Sequence, residues 1–257
     1  MAENQYGFPT EVLSLPSNGL IYSEDSPLRS GTIDVKYMTA KEEDILTSQN
    51  LIEQGVVITR LLESVIADSK VKLDDMLIGD KNALMIGTRI LGYGAEYKIM
   101  LTDPDTQERI EYSVDLSKLN NKPIDENLLN KDNLFSFELP NSKRVVEFKL
   151  LTHGDENKIT EILKDYKKVE ELTGVSQEIT TRLKYQIQSV DGNKEQKDID
   201  NFVDNEFLAL DARAYRKYVG EITPDVDLTF EYTSQKGNKH KLDIPLGIEF
   251  FWPAADK

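Results

Sequence analysis

Cysteine is absent from this 257-residue chain, tryptophan occurs once and histidine twice. The first absence excludes disulfide staples, thiolate zinc sites and cysteine nucleophiles together. The two histidines, His153 and His240, lie in different segments without a second histidine at helical spacing, so a His-rich metal site is excluded too. No uninterrupted apolar run approaches the roughly 18 residues that a bilayer span needs, and no membrane span is expected. Met1-Ala2-Glu3-Asn4-Gln5 has neither the basic start nor the apolar stretch of a secretory signal, which points to the cytoplasm. Positive charge is in deficit: 31 basic against 46 acidic residues gives 31 − 46 = −15. Phosphate backbones repel such a chain unless its cations gather on one face. The densest basic stretches, Arg213 to Lys217 and Lys236 to Lys241, lie beside acidic neighbours and read as solvated surface. No nucleic-acid partner is expected; an acidic face suits a basic protein equally well.

Catalytic signatures are as sparse. There is no Gly-x-Ser-x-Gly elbow and no Gly-Lys-Ser/Thr phosphate loop. Gly92-x-Gly94 follows a helical pattern instead of a strand and lacks a third glycine, so it reads as a helix stop. Carboxylates are plentiful, but the runs from Asp103 and from Asp191 miss the sixth-position glycine and closing glutamate of a calcium loop. Asp74, Asp75 and Asp80 are the one set on which a metal-dependent hydrolase rests, and caps, turns and surface charge account for them more simply. The expected protein is no enzyme, with no cofactor, no metal and no small-molecule substrate.

What is present is an α+β pattern, with strands and helices grouped instead of strictly alternating. Residues 1–30 read as an extended N-terminal arm, since Phe8-Pro9, Leu15-Pro16-Ser17-Asn18-Gly19 and Ser26-Pro27 place breakers too close together for a helix. Residues 31–152 read as an α+β core with two hairpins. Ile33, Val35 and Tyr37 alternate as a strand, and Thr39 with Glu42 forms a capping box. Ile58, Leu61, Leu62, Val65 and Ile66 mark an amphipathic helix, and a further helix runs from about Asp80 to Leu91. The hairpins pair Tyr97–Leu101 with Ile110–Val114, and Phe135–Leu139 with Val145–Leu150. Residues 153–223 read as a helical segment without motifs, with Ile187 on a helix and Asp191 to Asp198 as a flexible linker. Residues 224–257 read as a C-terminal hairpin and an aromatic tail.

The two ends attract attention because they are apolar where chains usually fray. Phe8, Leu13, Leu15, Leu20 and Tyr22 in the arm, and Phe250, Phe251 and Trp252 in the tail, are candidate partner-binding residues, as aromatic anchors dominate protein interfaces. The alternative is that both ends tuck into the chain's own core.

The order of several strings resembles the baseplate proteins of T-even-type tailed phages. They are Leu15-Pro16-Ser17-x-Gly19-x-x-Tyr22, Pro27-Leu28-x-x-Gly31 and Met38-Thr39-x-x-Glu42-Glu43-Asp44-Ile45-Leu46. Gly79-Asp80-Lys81-Asn82 leading to Arg89-Ile90-x-Gly92-Tyr93-Gly94-x-x-Tyr97, and the closing Ile244-Pro245 and Phe250-Phe251-Trp252-Pro253, complete them. The resemblance spans roughly 8–120 and 224–253. It implies a non-enzymatic role in assembling the hub of a contractile-tail baseplate, through contacts with other phage baseplate hub proteins in the host cytoplasm. A permanent structural subunit of the virion is the alternative. Many relatives in the family that the chain resembles carry Cys-x-x-Cys pairs in two hairpin turns, like small zinc ribbons. Here the turns read Asp103-Pro104-Asp105-Thr106 and Thr233-Ser234-Gln235-Lys236-Gly237, so these hairpins are expected to hold by packing.

Overall fold

Caps and breakers set most element boundaries where the spacing predicts them. The computed structural model describes residues 7–252, apart from the side chains of Lys168 and Val169. The readings of Met1–Gln5 and Pro253 lie outside the described residues. Strand β1 (Thr10–Ser14) pairs antiparallel with β2 (Thr32–Lys36), with Val12 opposite Asp34. Ile33 and Val35 point into the core, whereas Tyr37 lies just past the strand end and is exposed. Thr39 then caps α1 (Ala40–Thr47) in a full capping box with Glu42. After the short α2 (Gln49–Glu53), α3 (Val57–Val65) buries Val57, Leu61, Leu62 and Val65 on one face. Each such fully buried side chain contributes roughly 1.5–3 kcal/mol.

Helix α4 (Ile78–Tyr93) is the axis of the N-terminal half and ends at Gly94, whose φ of 83° few other residues adopt. Strands β3 (Glu96–Thr102) and β4 (Arg109–Asp115) follow in the predicted register, Tyr97 opposite Val114 and Leu101 opposite Ile110. Strands β5 (Phe135–Glu138) and β6 (Val145–Phe148) form the second hairpin.

The region read as wholly helical differs. Helix α5 (His153–Thr173) and α6 (Glu178–Gln186) appear as expected, but Ile187–Val190 is strand β7, paired with β6 to complete a three-stranded sheet. Ile187, Ser189 and Val190 are buried there. Helical spacing from Ile179 to Leu183 carries on to Ile187 by arithmetic alone, and only the exposed edge of β6 favours the strand. Asp191 to Asp198 is no loose linker: Asp191 accepts from the Val145 amide at 2.8 Å and from Arg144, and Asn193 donates to Asp198 at 2.7 Å. Helix α7 (Gln196–Asn201) and α8 (Ala209–Ile222) then pack on this sheet, with Tyr215 edge-on to Phe148 and Tyr218 stacked on Phe137. Strands β8 (Thr229–Thr233) and β9 (Lys239–Asp243) close the chain, with Phe230 opposite Leu242. The fold is α+β, and one contiguous buried cluster runs from Leu15 to Phe251, with no member on α5 or β9.

The arm is not extended over its length. Past β1 it turns at Asn18-Gly19, passes through a short 3-10 turn at Pro27–Ser30, and returns as β2. The crossing is tight: a Cβ on Gly19 would stand 2.3 Å from the carbonyl oxygen of Arg29, and Gly19 has φ +75°. Gly19→Ala is expected to cost about 2 kcal/mol or more, from the left-handed backbone and the clash together. Urea unfolding of the variant checks this, and an unchanged midpoint would contradict the crossing.

Candidate interaction site

Asp80 lies in the first turn of α4, fully buried, where the helix dipole favours a negative charge. Its carboxylate accepts from the Ser17 amide at 3.0 Å, the Ser17 hydroxyl at 2.7 Å and the Tyr22 hydroxyl at 2.5 Å. The Tyr22 oxygen in turn accepts from the Leu77 amide at 3.0 Å. Burial raises the Asp80 carboxyl above its ordinary value, and the Tyr22 and Ser17 hydrogen bonds offset that only in part. The arm is thus bound to α4 by a desolvated acid.

The other end of α4 holds the tail. Arg89, 4% exposed, donates from Nε to the Phe250 carbonyl at 3.1 Å and places its guanidinium over the rings of Tyr93 and Tyr97. Phe250 meets Tyr97 edge-on at 4.9 Å. Of the eight expected anchor residues, Leu15, Tyr22, Phe250 and Phe251 are therefore buried in the chain's own core. Leu13 and Leu20 are half-buried, and Leu13 lies over Gly87, where a Cβ would come within 2.1 Å of its methyl. Phe8 and Trp252 keep 37% and 41% of their surface. Those two keep the most surface of the set, and the Lys36 ammonium lies 4.9 Å from the centre of the Phe8 ring.

The hydrolase set does not converge. Asp80 is buried under the arm, Asp75 is exposed, and Asp74 accepts from Asn157 at 3.1 Å. Among the described residues no three His, Asp or Glu side chains stand together as metal ligands. His153 is buried with Nε2 3.1 Å from the Thr59 hydroxyl; burial and the neighbouring Lys81 hold it below its ordinary value. An open cleft of about 480 Å³ between α5, α6 and β7 is lined by Ile162, Tyr166, Thr181 and Tyr185. Its two lysines are occupied: Lys149 pairs with Asp155 and Lys184 with Asp204, each at 2.7 Å.

Three further carboxylates make two joints that the sequence did not disclose. The β3–β4 turn and the β8–β9 turn meet, and Asp103 accepts from the Tyr232 hydroxyl at 2.7 Å and the Gln235 amide at 3.1 Å. Asp105 beside it accepts from Ser234, from Asn238 at 3.0 Å, and lies 3.1 Å from His240 Nε2. The Tyr232 bond holds the Asp103 carboxyl well below the carboxylate range and pushes Tyr232 up to about 12. Packing contributes as expected, through Tyr112 stacked on Phe230 at 5.5 Å, but a polar clasp joins the tips. Asp211, in the first turn of α8, accepts from both nitrogens of Asn141 at 2.8 Å and from the Ser142 amide at 3.0 Å. Burial opposes its ionisation, yet these donors prevail and lower its carboxyl to about 2.

Of the strings that carry the family resemblance, those at Ser17 and Tyr22, at Met38 and at Phe250 meet on α4. A family model described as T4 bacteriophage base plate protein matches residues 14–252. The chain belongs to that family. No curated protein and no solved structure matches it. No described helix of this baseplate-family protein is long and apolar enough to cross a membrane. The phage baseplate supplies its setting, with protein partners.

What sequence reading missed in this baseplate protein is the free surface. Leu172, Val175 and Ile179, at the turn between α5 and α6, are 86%, 63% and 55% exposed. The available signal was three apolar residues bracketing the helix-stopping Gly174 in an otherwise charged stretch.

Asp80→Ala strips three donors of their acceptor and is expected to cost about 3 kcal/mol, with the arm becoming protease-sensitive. Urea unfolding with limited proteolysis reads both. Asp211 supplies stability above an unfolded value of about 3.9, and this is lost as pH falls through its folded value of about 2. Acid unfolding of Asp211→Asn should therefore show a shallower loss across that window than the unaltered chain; an identical slope would remove Asp211 from the acid response.

Proposed function

We propose that this baseplate-family chain acts without catalysis in assembling the hub of a contractile-tail baseplate, through contacts with other hub proteins in the host cytoplasm. The observation that carries the reading is the family match over nearly the whole chain. Two features support the emphasis on contacts. The buried carboxylates Asp80, Asp103 and Asp211 each serve as multiple acceptors that join distant segments, which leaves them no free reactive face. Large apolar side chains stay exposed at Phe8, Val12 and Tyr37 around the β1–β2 edge, and at Trp252 in the tail. No observation favours the hydrolase reading based on Asp74, Asp75 and Asp80.

Co-expression with the other hub proteins of its phage, then affinity capture and mass measurement, is the test. A defined complex is expected, weakened about tenfold or more by Trp252→Ala at an unchanged melting temperature. A chain that stays alone with every hub protein would reject the hub reading. Stoichiometric recovery in purified tails would favour a permanent virion subunit over an assembly factor.

A further inference from the structure

Helix α8 has two faces of opposite character. Asp211, Tyr215 and Ile222 are buried against the body. Leu210, Arg213, Arg216, Lys217 and Gly220 are all exposed, and at 3.6 residues per turn they fall within about 120° of one another. The face they share is about 15 Å long. Its exposed charges are Arg213, Arg216 and Lys217 against Glu221, 3 − 1 = +2, on a chain at −15.

The acidic neighbours that the sequence sets beside this stretch do not neutralise it. Asp211 turns inward and accepts from Asn141 and Ser142. Glu206 is engaged by Arg144, and Asp204 by Lys184 at 2.7 Å. Arg60, Arg144 and Arg182 each meet a carboxylate elsewhere in the fold, whereas Arg213 and Arg216 pair with none among the described residues. Arg216 Nε instead donates to the Ala212 carbonyl one turn back, at 3.3 Å. Lys217 reaches Glu221 at 3.6 Å, with both side chains exposed. Two large apolar side chains adjoin the cations: Leu208, just before the helix, and Leu210, in its first turn, are 52% and 66% exposed.

Arginine is enriched at protein contacts, and here charge decides what covers the face. A carboxylate-bearing segment is drawn to these three cations and repelled by most of the remaining surface. A phosphate backbone would meet the same cations, but it has no use for Leu208 and Leu210, and the net charge holds it off. A symmetric pair of copies through α8 would set the cations against one another. We propose that the outer face of α8 docks an acidic segment of a partner protein, with an apolar side chain of that segment seated at Leu208 and Leu210. The guanidinium forks of Arg213 and Arg216 suit its carboxylates in bidentate fashion. The inference rests on α8 alone and stands apart from the hub reading. Its area is small against the roughly 800 Å² per partner of a stable interface, so the contact is weak and salt-sensitive.

Fluorescence anisotropy of a labelled peptide titrated with the full chain provides the test. The probe is a helical peptide of about four turns, with glutamates at three- and four-residue spacing and leucines at one end. Saturable binding is expected, lost when glutamines replace the peptide's glutamates and weakened by added salt. Arg213→Glu and Arg216→Glu should each weaken it about tenfold, since reversal turns an attraction into a repulsion. Both positions are exposed, so the thermal melt stays unchanged. Leu210→Ser should weaken binding without altering its salt dependence. The proposal is overturned if the acidic peptide shows no saturable binding, or binding that both arginine variants leave intact. A DNA duplex bound more tightly than the peptide overturns it in favour of a nucleic-acid face. Sedimentation velocity of the chain alone tests the remaining occupant: self-association abolished by Arg213→Glu would assign the face to a second copy and overturn the proposal.

Discussion

A desolvated carboxylate on α4 is the constraint on which the N-terminal half depends. Burying an ionised acid is costly unless its oxygens are satisfied. Asp80 meets that requirement with donors brought by the arm, so the arm cannot leave without abandoning a charge in the core. The crossing of Gly19 under Arg29 and the turn into β2 follow from that attachment. At the opposite end of α4, Arg89 does the same for the tail with a buried cation. Both charges agree in sign with the helix dipole, the anion at the N-terminus and the cation toward the C-terminus. One helix thereby holds both ends of the described chain.

This arrangement changes the meaning of the family strings. The arm sequence, Gly79-Asp80, the Arg89-to-Tyr97 segment and Phe250-Phe251 are residues that lock ends to α4. They define a scaffold. The large apolar side chains that keep exposed surface, Val12, Tyr37, Leu172 and Trp252 among them, lie outside these locks.

The hairpin clasp follows the same logic. Two turns 129 or more residues apart are joined by Asp103 and Asp105, which gather hydroxyl, amide and imidazole donors from the β8–β9 turn. A cysteine-free chain obtains a fixed tip by this means. Asp211 pins the β5–β6 turn to α8 in the same manner. In all three joints a carboxylate near a helix start or turn accepts from a remote segment.

Local chemistry was legible from the residues themselves. The Thr39–Glu42 capping box, the apolar face of α3, the stop at Gly94 and the register of β3 with β4 each depend on neighbours a few positions away. So did the α+β class and the absence of any long apolar run. Tertiary structure alone decided that Ile187–Val190 is a strand, because a short apolar run takes its form from the sheet edge it meets. It also decided that Leu15, Tyr22, Phe250 and Phe251 face inward while Leu172 faces water. An apolar residue in sequence carries the same driving force toward any dry surface, its own or a partner's. Which surface it finds depends on where remote donors such as Ser17 and Arg89 come to lie, and spacing along the chain does not encode that.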